Sequence, residues 1–152
     1  MNHEFLNRFE VKVDAKGRLF VPSTYRKSIE EKETDTSLYL ERDVQKKCVK
    51  VYTKSFWDER IGKLKANLNT WDDEDMDIYR QYTSYVERVE MDSNGRILLQ
   101  KQFLEAAEIE ADAVLVGVID TFEIWSKDNL ENSFQKEVDF RKALNKKMGN
   151  KD

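Results

Sequence analysis

Two arginines of this sequence occupy the same place in a repeated motif, where each could bind an anion such as phosphate. Arg18 ends the string Asp14-Ala15-Lys16-Gly17-Arg18, and Arg96 ends the string Asp92-Ser93-Asn94-Gly95-Arg96, 78 residues later. A guanidinium offers a planar fork of donors, whereas a lysine ammonium acts as a point charge. One Asp-x-x-Gly-Arg string alone predicts little more than a turn, so its meaning depends on the surrounding elements.

The remaining motif residues are typical of a tight turn between two strands. An Asp side chain can accept hydrogen bonds from the backbone that follows it, and Gly adopts the positive φ that other residues resist. Asp14 and Asp92 are therefore predicted to brace the two turns, with Gly17 and Gly95 at the bend. For Arg18 the purely structural alternative is a salt bridge to Asp14 that locks the turn.

Apolar residues around the two motifs also match, which indicates an internal duplication. Each copy alternates apolar and polar residues on both sides of its turn, so the first copy is predicted to form a hairpin over residues 5–13 and 18–22. Neither copy can bury its apolar face alone, and we expect the two to intertwine or pack as a pseudo-symmetric pair. The matched positions are Val11 with Val89, Val13 with Met91, Leu19 with Ile97, Val21 with Leu99, and Tyr25 with Phe103.

The elements that follow each turn can be predicted from apolar spacing and capping residues. The predicted elements are a short helix over 25–29 capped by Ser23 or Thr24, strands around Leu38–Leu40 and Val49–Val51, a helix over 56–68 with Ser55 and Asp58 as a capping pair, a helix opened by the acidic residues 72–75 and running to about Tyr85, a short helix over 103–107, strands around Val114–Val118 and Ile124–Trp125, and one final helix from about Asp128, capped by Ser126, with Leu130, Phe134 and Val138 on one face.

Composition excludes several kinds of site. His3 and Cys48 are the only histidine and cysteine of the 152 residues, so the sequence predicts no zinc site and no disulfide framework. The acidic run that starts at Asp72 lacks the Gly and Glu of a calcium-binding loop. Without a nucleophile–histidine pair or a phosphate-binding glycine loop, we expect no enzyme, no metal and no cofactor.

Charge is distributed unevenly along the chain. The net charge is −4, which by itself argues against a nucleic-acid partner. Residues 1–54 nevertheless hold 12 basic against 9 acidic residues, whereas residues 86–152 hold 10 against 14. If the protein binds DNA, the first copy should make most of the contacts, and several chains would have to pool their basic surfaces.

The duplicated motif and its context resemble the MraZ family of bacterial transcriptional regulators, whose two repeats carry Asp-x-x-Gly-Arg-x-x-x-Pro. Residues 14–22 match that signature, and the segment from Ala113 to Ser126 is similar to the second repeat of the family. The resemblance implies an α+β fold of duplicated AbrB-like swapped-hairpin repeats, which form one pseudo-two-fold, β-barrel-like domain with flanking helices. It implies the boundaries 5–54 for the first repeat, 55–85 for a helical segment, 86–126 for the second repeat and 127–152 for a C-terminal helix and tail.

The resemblance also implies a function and a place in the cell. A member of this family would bind double-stranded DNA at short direct repeats, in the promoter of the cell-division and cell-wall gene cluster, as a ring-shaped homo-oligomer. We expect a cytoplasmic, nucleoid-associated protein, because no stretch resembles a membrane span and residues 1–5 lack the features of a signal peptide. The alternative from a different class is a non-catalytic, ring-forming scaffold that binds other proteins.

Carried over residue by residue, the resemblance makes Arg18 the leading DNA contact, with Lys16 beside it. Gly17 would let the turn approach the groove, and Arg96 is the counterpart contact in the second repeat. Two differences weaken the second repeat as a DNA-binding element, because Asn94 replaces Lys16 and Gln100 replaces Pro22. Further candidate contacts to the DNA backbone are Arg8, Lys12, Arg26 and Lys27.

Overall fold

The computed structural model describes residues 2–43 and 45–149, and the alternating apolar residues of both copies form strands in it. The mixed α+β prediction is confirmed. None of the helices in this described part is long and apolar enough to cross a membrane. The elements are β1 Arg8–Lys12, β2 Arg18–Phe20, α1 Ser23–Lys32, β3 Leu38–Arg42, β4 Cys48–Thr53, α2 Lys54–Ala66, α3 Asp73–Ser84, β5 Val86–Val89, β6 Arg96–Leu98, α4 Lys101–Ala106, β7 Asp112–Val118, β8 Thr121–Trp125, α5 Lys127–Asn132 and α6 Glu137–Lys147.

The strands form a six-stranded antiparallel sheet in the order β1-β7-β8-β4-β3-β5 and a separate two-stranded ribbon of β2 and β6. In order along the chain, β1, β3 and β4 of the first copy correspond to β5, β7 and β8 of the second. Exchanging each strand with its counterpart gives the same strand order, read from the other end of the sheet. The duplication of the sequence is therefore a duplication of topology. Among the described residues the large sheet ends at β1 and β5, so the predicted barrel is not closed.

The strands on either side of each turn were predicted to pair as a hairpin, and this detail is wrong. One bond from the Asp14 amide to the Arg18 carbonyl, at 2.9 Å, closes the first turn, after which the strands separate. β1 then pairs with β7 of the second copy, and β2 pairs with β6. The exchange buries Leu19 against Ile97 at the centre of the ribbon, which two isolated hairpins would leave in water.

The core lies between the large sheet, the ribbon and the short helices α1 and α4. Its centre is aromatic: the Phe5 ring lies 5.0 Å from that of Tyr25 and 5.2 Å from that of Phe122, in edge-on arrangements. Phe5 belongs to the segment before β1 and reaches the core because Gly117 on β7 leaves room for the backbone. The amino-terminal segment is thus part of the core.

Some of the helix caps are those predicted from the sequence, and others are different. Ser126 caps α5 through the Asn129 amide, as predicted. The acidic run 72–75 was predicted to open a helix, and within it Asp72 caps α3, since its carboxylate accepts from the Glu74 amide. Ser23 and Thr24 lie inside α1, and Pro22 stands at its start. Ser55 does not cap α2 with Asp58. It bonds Glu33, the residue that follows α1, because that buried carboxylate needs donors.

The single final helix predicted after Ser126 is two helices. Leu130 is buried and anchors α5 beside Trp125 and Val114. The Ser133 hydroxyl then donates to the Leu130 carbonyl at 2.5 Å, which ends α5 by competing with the helical bonds. Phe134 and Val138, which were predicted to share a face with Leu130, are exposed. α6 extends to Lys147, and residues 150–152 of the predicted tail lie outside the described part of the chain.

A buried polar network joins the amino terminus to α1 and α2. His3 Nε2 lies 2.7 Å from Glu33 Oε2, and both side chains are almost completely buried. The Ser55 amide and hydroxyl donate to the same carboxylate at 2.8 and 2.7 Å, and Ser28 bonds the other ring nitrogen of His3. Burial opposes ionisation of Glu33, but these hydrogen bonds outweigh it and hold the pKa of its carboxyl below the ordinary value of 4.5.

This network predicts a pH-dependent difference between the wild type and Glu33→Gln. A lowered folded-state pKa contributes stability that is present above about pH 4.5 and is lost as the pH falls through the folded value. At pH 7 we expect the variant to be less stable by about 1.5–3 kcal/mol, the usual worth of hydrogen bonds to a charged group. Urea unfolding should show this difference shrinking below about pH 4.5. A difference that stays constant down to pH 3 would contradict the assignment.

Candidate functional site

The two Asp-x-x-Gly-Arg turns have the same geometry. Asp14 Oδ1 accepts from the backbone amides of Lys16 and Arg18, both at 2.9 Å, and Oδ2 accepts from Arg18 Nε at 2.7 Å. In the second turn Asp92 accepts from the Asn94 and Arg96 amides and from Arg96 Nε, each at 2.9 Å. Each Asp carboxylate therefore accepts three hydrogen bonds from the residues that follow it in its own turn.

The carboxylates of these turns are ionised more readily than usual. The backbone amide of Arg18 is the largest cause that lowers the pKa of Asp14, and the Arg96 amide does the same for Asp92. Each charged Asp fixes its arginine through Nε alone. The two Nη nitrogens of Arg18 and of Arg96 make no hydrogen bond within the described residues, so the end of each fork remains available to a ligand.

The ribbon places both arginines on one exposed face. Leu19 and Ile97 point into the core, and the register sets Arg18 opposite Leu98 and Phe20 opposite Arg96. Phe20 is 52% exposed and Leu98 is 42% exposed, and the Arg96 guanidinium lies 5.9 Å from the Phe20 ring centre. Arg18 and Arg96 are diagonal neighbours, which typically lie about 7–8 Å apart, within reach of long side chains. The arrangement can bind two anionic or hydrogen-bonding groups side by side.

Each turn is held in place by the other copy. The Leu99 amide donates to the Gly17 carbonyl at 2.8 Å, and the Val21 amide donates to the Gly95 carbonyl at 3.0 Å. Gly17 has φ of +93°, and a Cβ there would lie 2.4 Å from the Leu99 carbonyl oxygen. The glycine is required at this position because the backbone of the second copy passes too closely for any side chain.

Crossing of the copies brings Arg26 under the second turn. Its side chain contacts Gly95 and donates from Nε to the Val21 carbonyl at 2.9 Å. The counterpart residue, Leu104, lies under Gly17 in the first turn. The second turn lacks the equivalent of Lys16 but has a guanidinium from the first copy beside it. This contact could not be predicted from the sequence, because it depends on the pairing of β2 with β6 of the other copy.

Other candidate cations lie elsewhere. Arg8 and Lys12 are on β1 at the edge of the large sheet, on a different element from Arg18 and Arg96. Each is paired with a carboxylate: Arg8 with Glu131 at 3.7 Å and Lys12 with Asp112 at 2.5 Å. Lys101, which the sequence did not single out, lines the same surface hollow as Lys16. Gln100 has the extended backbone that Pro22 has, so this difference leaves the start of the helix unchanged.

Comparisons with known proteins agree with this picture. The model of a family described as "MraZ protein, putative antitoxin-like" matches residues 5–80 and 83–151. A protein of Bacteroides thetaiotaomicron named Transcriptional regulator MraZ is 38% identical over 95% of this chain and 92% of its own length. Proteins with the same name from Phocaeicola vulgatus and Christiangramia forsetii are 38% and 34% identical over 95% and 97% of this chain.

Proposed function

Because the chain belongs to the MraZ family, whose members in these comparisons are named transcriptional regulators, we propose that it is a sequence-specific regulator that binds double-stranded promoter DNA. The observation that carries the proposal is the exposed face of the β2–β6 ribbon. It presents two braced arginines, whose Nη donors make no hydrogen bond to the part of the chain that the structure describes, beside two exposed apolar side chains. A transcriptional regulator is not an enzyme, and the proposal needs no catalytic group.

The shape of the ribbon suits the major groove of B-DNA. That groove is about 12 Å wide and admits a two-stranded β-ribbon, and an arginine fork there can bind guanine through two hydrogen bonds. Arg18 and Arg96 would contact bases or phosphates, with Lys16 at the first turn and Arg26 at the second. Arg8 and Lys12, already paired with carboxylates on β1, would contact the DNA backbone only by leaving those pairs.

The net charge of −4 favours binding by several copies that pool the basic excess of their first repeats. We propose that the protein binds short direct repeats in the promoter of the cell-division and cell-wall gene cluster as a ring-shaped homo-oligomer. Tethered weak sites gain affinity through their effective concentration. The exchanged strand pairing supports an AbrB-like swapped-hairpin origin for the two repeats, with residues 55–85 as a helical insertion between them.

The competing proposal is a ring-forming protein scaffold without DNA binding. It is favoured by the acidic α3 and by the exposed apolar residues of α6. The two proposals differ in their salt dependence, because a phosphate interface releases counterions when it forms.

Binding of the full chain to a fragment with this organism's promoter repeats, measured from about 50 to 200 mM salt, tests the proposal. We expect the logarithm of the affinity to fall linearly with the logarithm of salt concentration, by about 0.9 for each phosphate contacted. A fragment with shuffled repeats should bind at least about a thousandfold more weakly. Equal binding of both fragments, or none, would favour the scaffold.

Arg26→Ala should weaken DNA binding modestly and reduce the salt dependence. Loss of one phosphate contact for each engaged copy lowers the slope by about 1. Lys63→Ala removes an exposed charge from α2, away from both turns, and should leave the slope unchanged. Fluorescence anisotropy at several salt concentrations provides the measurement. An Arg26→Ala slope equal to that of the wild type would show that the second turn does not contact phosphate.

A further inference from the structure

Phe20 and Leu98 are exposed apolar side chains on the same face of the ribbon as the two arginines. They occupy the same place in the two copies, because Phe20 lies two residues after Arg18 and Leu98 lies two residues after Arg96. Alternation along each strand turns its central residue to the core and the two residues around it outward. Each copy therefore contributes one arginine and one large apolar side chain to the outer face.

The register of the ribbon places each apolar side chain directly opposite an arginine of the other copy. Leu98 pairs with Arg18, and Phe20 pairs with Arg96. Residues directly opposite each other in antiparallel strands have Cβ atoms about 4.5–5.5 Å apart. In the second of these pairs the Arg96 guanidinium lies 5.9 Å from the centre of the Phe20 ring. The outer face thus consists of two patches, each with one fork of donors beside one apolar surface.

A surface of this composition suits the edges of base pairs better than it suits phosphates. A phosphate contact needs cations, and an apolar side chain beside it gains nothing. In the major groove, guanine presents the acceptors N7 and O6 to an arginine fork, and thymine presents its C5 methyl group to an apolar side chain. Stacked nucleotides of one strand are about 3.4 Å apart along the helix. An arginine and the apolar residue opposite it, about 5 Å away, can therefore reach neighbouring base pairs.

We propose that Phe20 and Leu98 recognise the C5 methyl groups of thymines, in base pairs next to those that Arg18 and Arg96 contact. The inference rests on the proposed binding of promoter DNA and adds to it a base that each copy prefers. Cytosine at the same position would present its N4 amino group to an apolar side chain, and that group would lose a hydrogen bond to water. The apolar residues thus select thymine over cytosine, which the arginines alone would not do.

Deoxyuridine substitution tests the inference, because it removes the thymine methyl group and leaves the hydrogen-bonding groups of the base unchanged. Fluorescence anisotropy measures binding of the full chain to the promoter fragment with thymine, and to the same fragment with deoxyuridine at every thymine of the repeats. Burial of one methyl group is worth about fourfold in affinity, so the wild type should bind the thymine fragment at least about fourfold more tightly. This ratio should be the same from about 50 to 200 mM salt, because a methyl contact releases no counterion.

Variants of the two apolar residues should change this ratio of affinities. Phe20→Ala and Leu98→Ala should each reduce it, and the double variant should bind the two fragments equally. Phe20→Leu gives the first copy the residue of the second and should keep the preference for thymine. Leu6→Ala, the matched control, removes an exposed apolar side chain before β1, at the end of that strand away from the first turn, and should keep the wild-type ratio. Circular dichroism should show unchanged folding, because all three positions are exposed.

The ratio separates recognition of the methyl group from a role in holding Arg96. If Phe20 only held that side chain, Phe20→Ala would weaken binding to both fragments equally and leave the ratio unchanged, which would overturn the inference for Phe20. Equal binding of the two fragments by the wild type would overturn it for both residues. Specific binding of the thymine fragment over shuffled repeats would in that case leave the DNA-binding proposal intact, whereas specific binding of neither fragment would contradict the inference and that proposal together.

Discussion

Replacing Arg18 with alanine is expected to weaken specific DNA binding by at least about tenfold. A bidentate arginine contact contributes about 1–3 kcal/mol of discrimination for each base that it reads, and each engaged copy of the chain would lose one. Asp14 would still accept the two backbone amides that shape the turn, so the fold should remain intact. Titration of the promoter fragment by fluorescence anisotropy, with the oligomeric mass checked by light scattering, gives the measurement.

Two further variants make this result specific. Arg18→Lys keeps the charge and loses the fork, so it should retain binding to shuffled DNA and lose preference for the promoter repeats. Arg80→Ala removes an exposed arginine of α3 that is paired with Asp77, and it should bind as the wild type does. Undiminished specific binding by Arg18→Ala would show that the Arg18–Asp14 pair only locks the turn, which is the structural alternative.

Replacing Gly117 with alanine is expected to destabilise the fold by about 3 kcal/mol or more. A Cβ at this position would lie 2.0 Å from the Phe5 carbonyl oxygen, so the amino-terminal segment would have to move. Movement exposes Phe5, whose burial is worth about 1.5–3 kcal/mol, and crowding adds about 1–3 kcal/mol. For a chain of this size the midpoint of thermal unfolding should fall by about 6–12 °C.

Gly62→Ala provides the matched control for this measurement. Gly62 lies within α2, and no atom of residues 2–43 or 45–149 stands within 4 Å of an added Cβ. Alanine there reduces the entropy of the unfolded chain and should stabilise the protein by about 0.5–1 kcal/mol. Thermal unfolding followed by circular dichroism should therefore move the two variants in opposite directions. A Gly117→Ala midpoint equal to that of the wild type would show that the amino-terminal segment adapts without leaving the core.

The sequence was most informative where structure depends on near neighbours. The turns at Gly17 and Gly95, the opening of α3 by the acidic residues 72–75 and the cap of α5 at Ser126 were all predicted, because their hydrogen bonds span two to four residues. The α+β class followed from apolar spacing in the same way. The DNA contacts assigned to Arg18 and Arg96 stay predictions, although their positions on one ribbon face agree with that role.

Predictions failed where the partner lies far along the chain. The partner of Ser55 is Glu33, 22 residues earlier, and not the nearby Asp58. Helical spacing predicted that Leu130, Phe134 and Val138 share one face, but only Leu130 is buried, in a cluster with Val114 of β7. Arg26 reaches Gly95 only because the copies cross.

By itself, the sequence determined the duplication, the two turns with their arginines and the family. It did so because the Asp, Gly and Arg of each turn lie within five residues, and the hydrogen bonds between them fix the conformation of the turn. The tertiary structure decided that β2 pairs with β6, that both arginines share one face, and that Arg26 of the first copy lies beside Gly95 of the second. Strand pairing over 78 residues is selected by which arrangement buries the most apolar surface, and alternating residues alone fit several arrangements equally well.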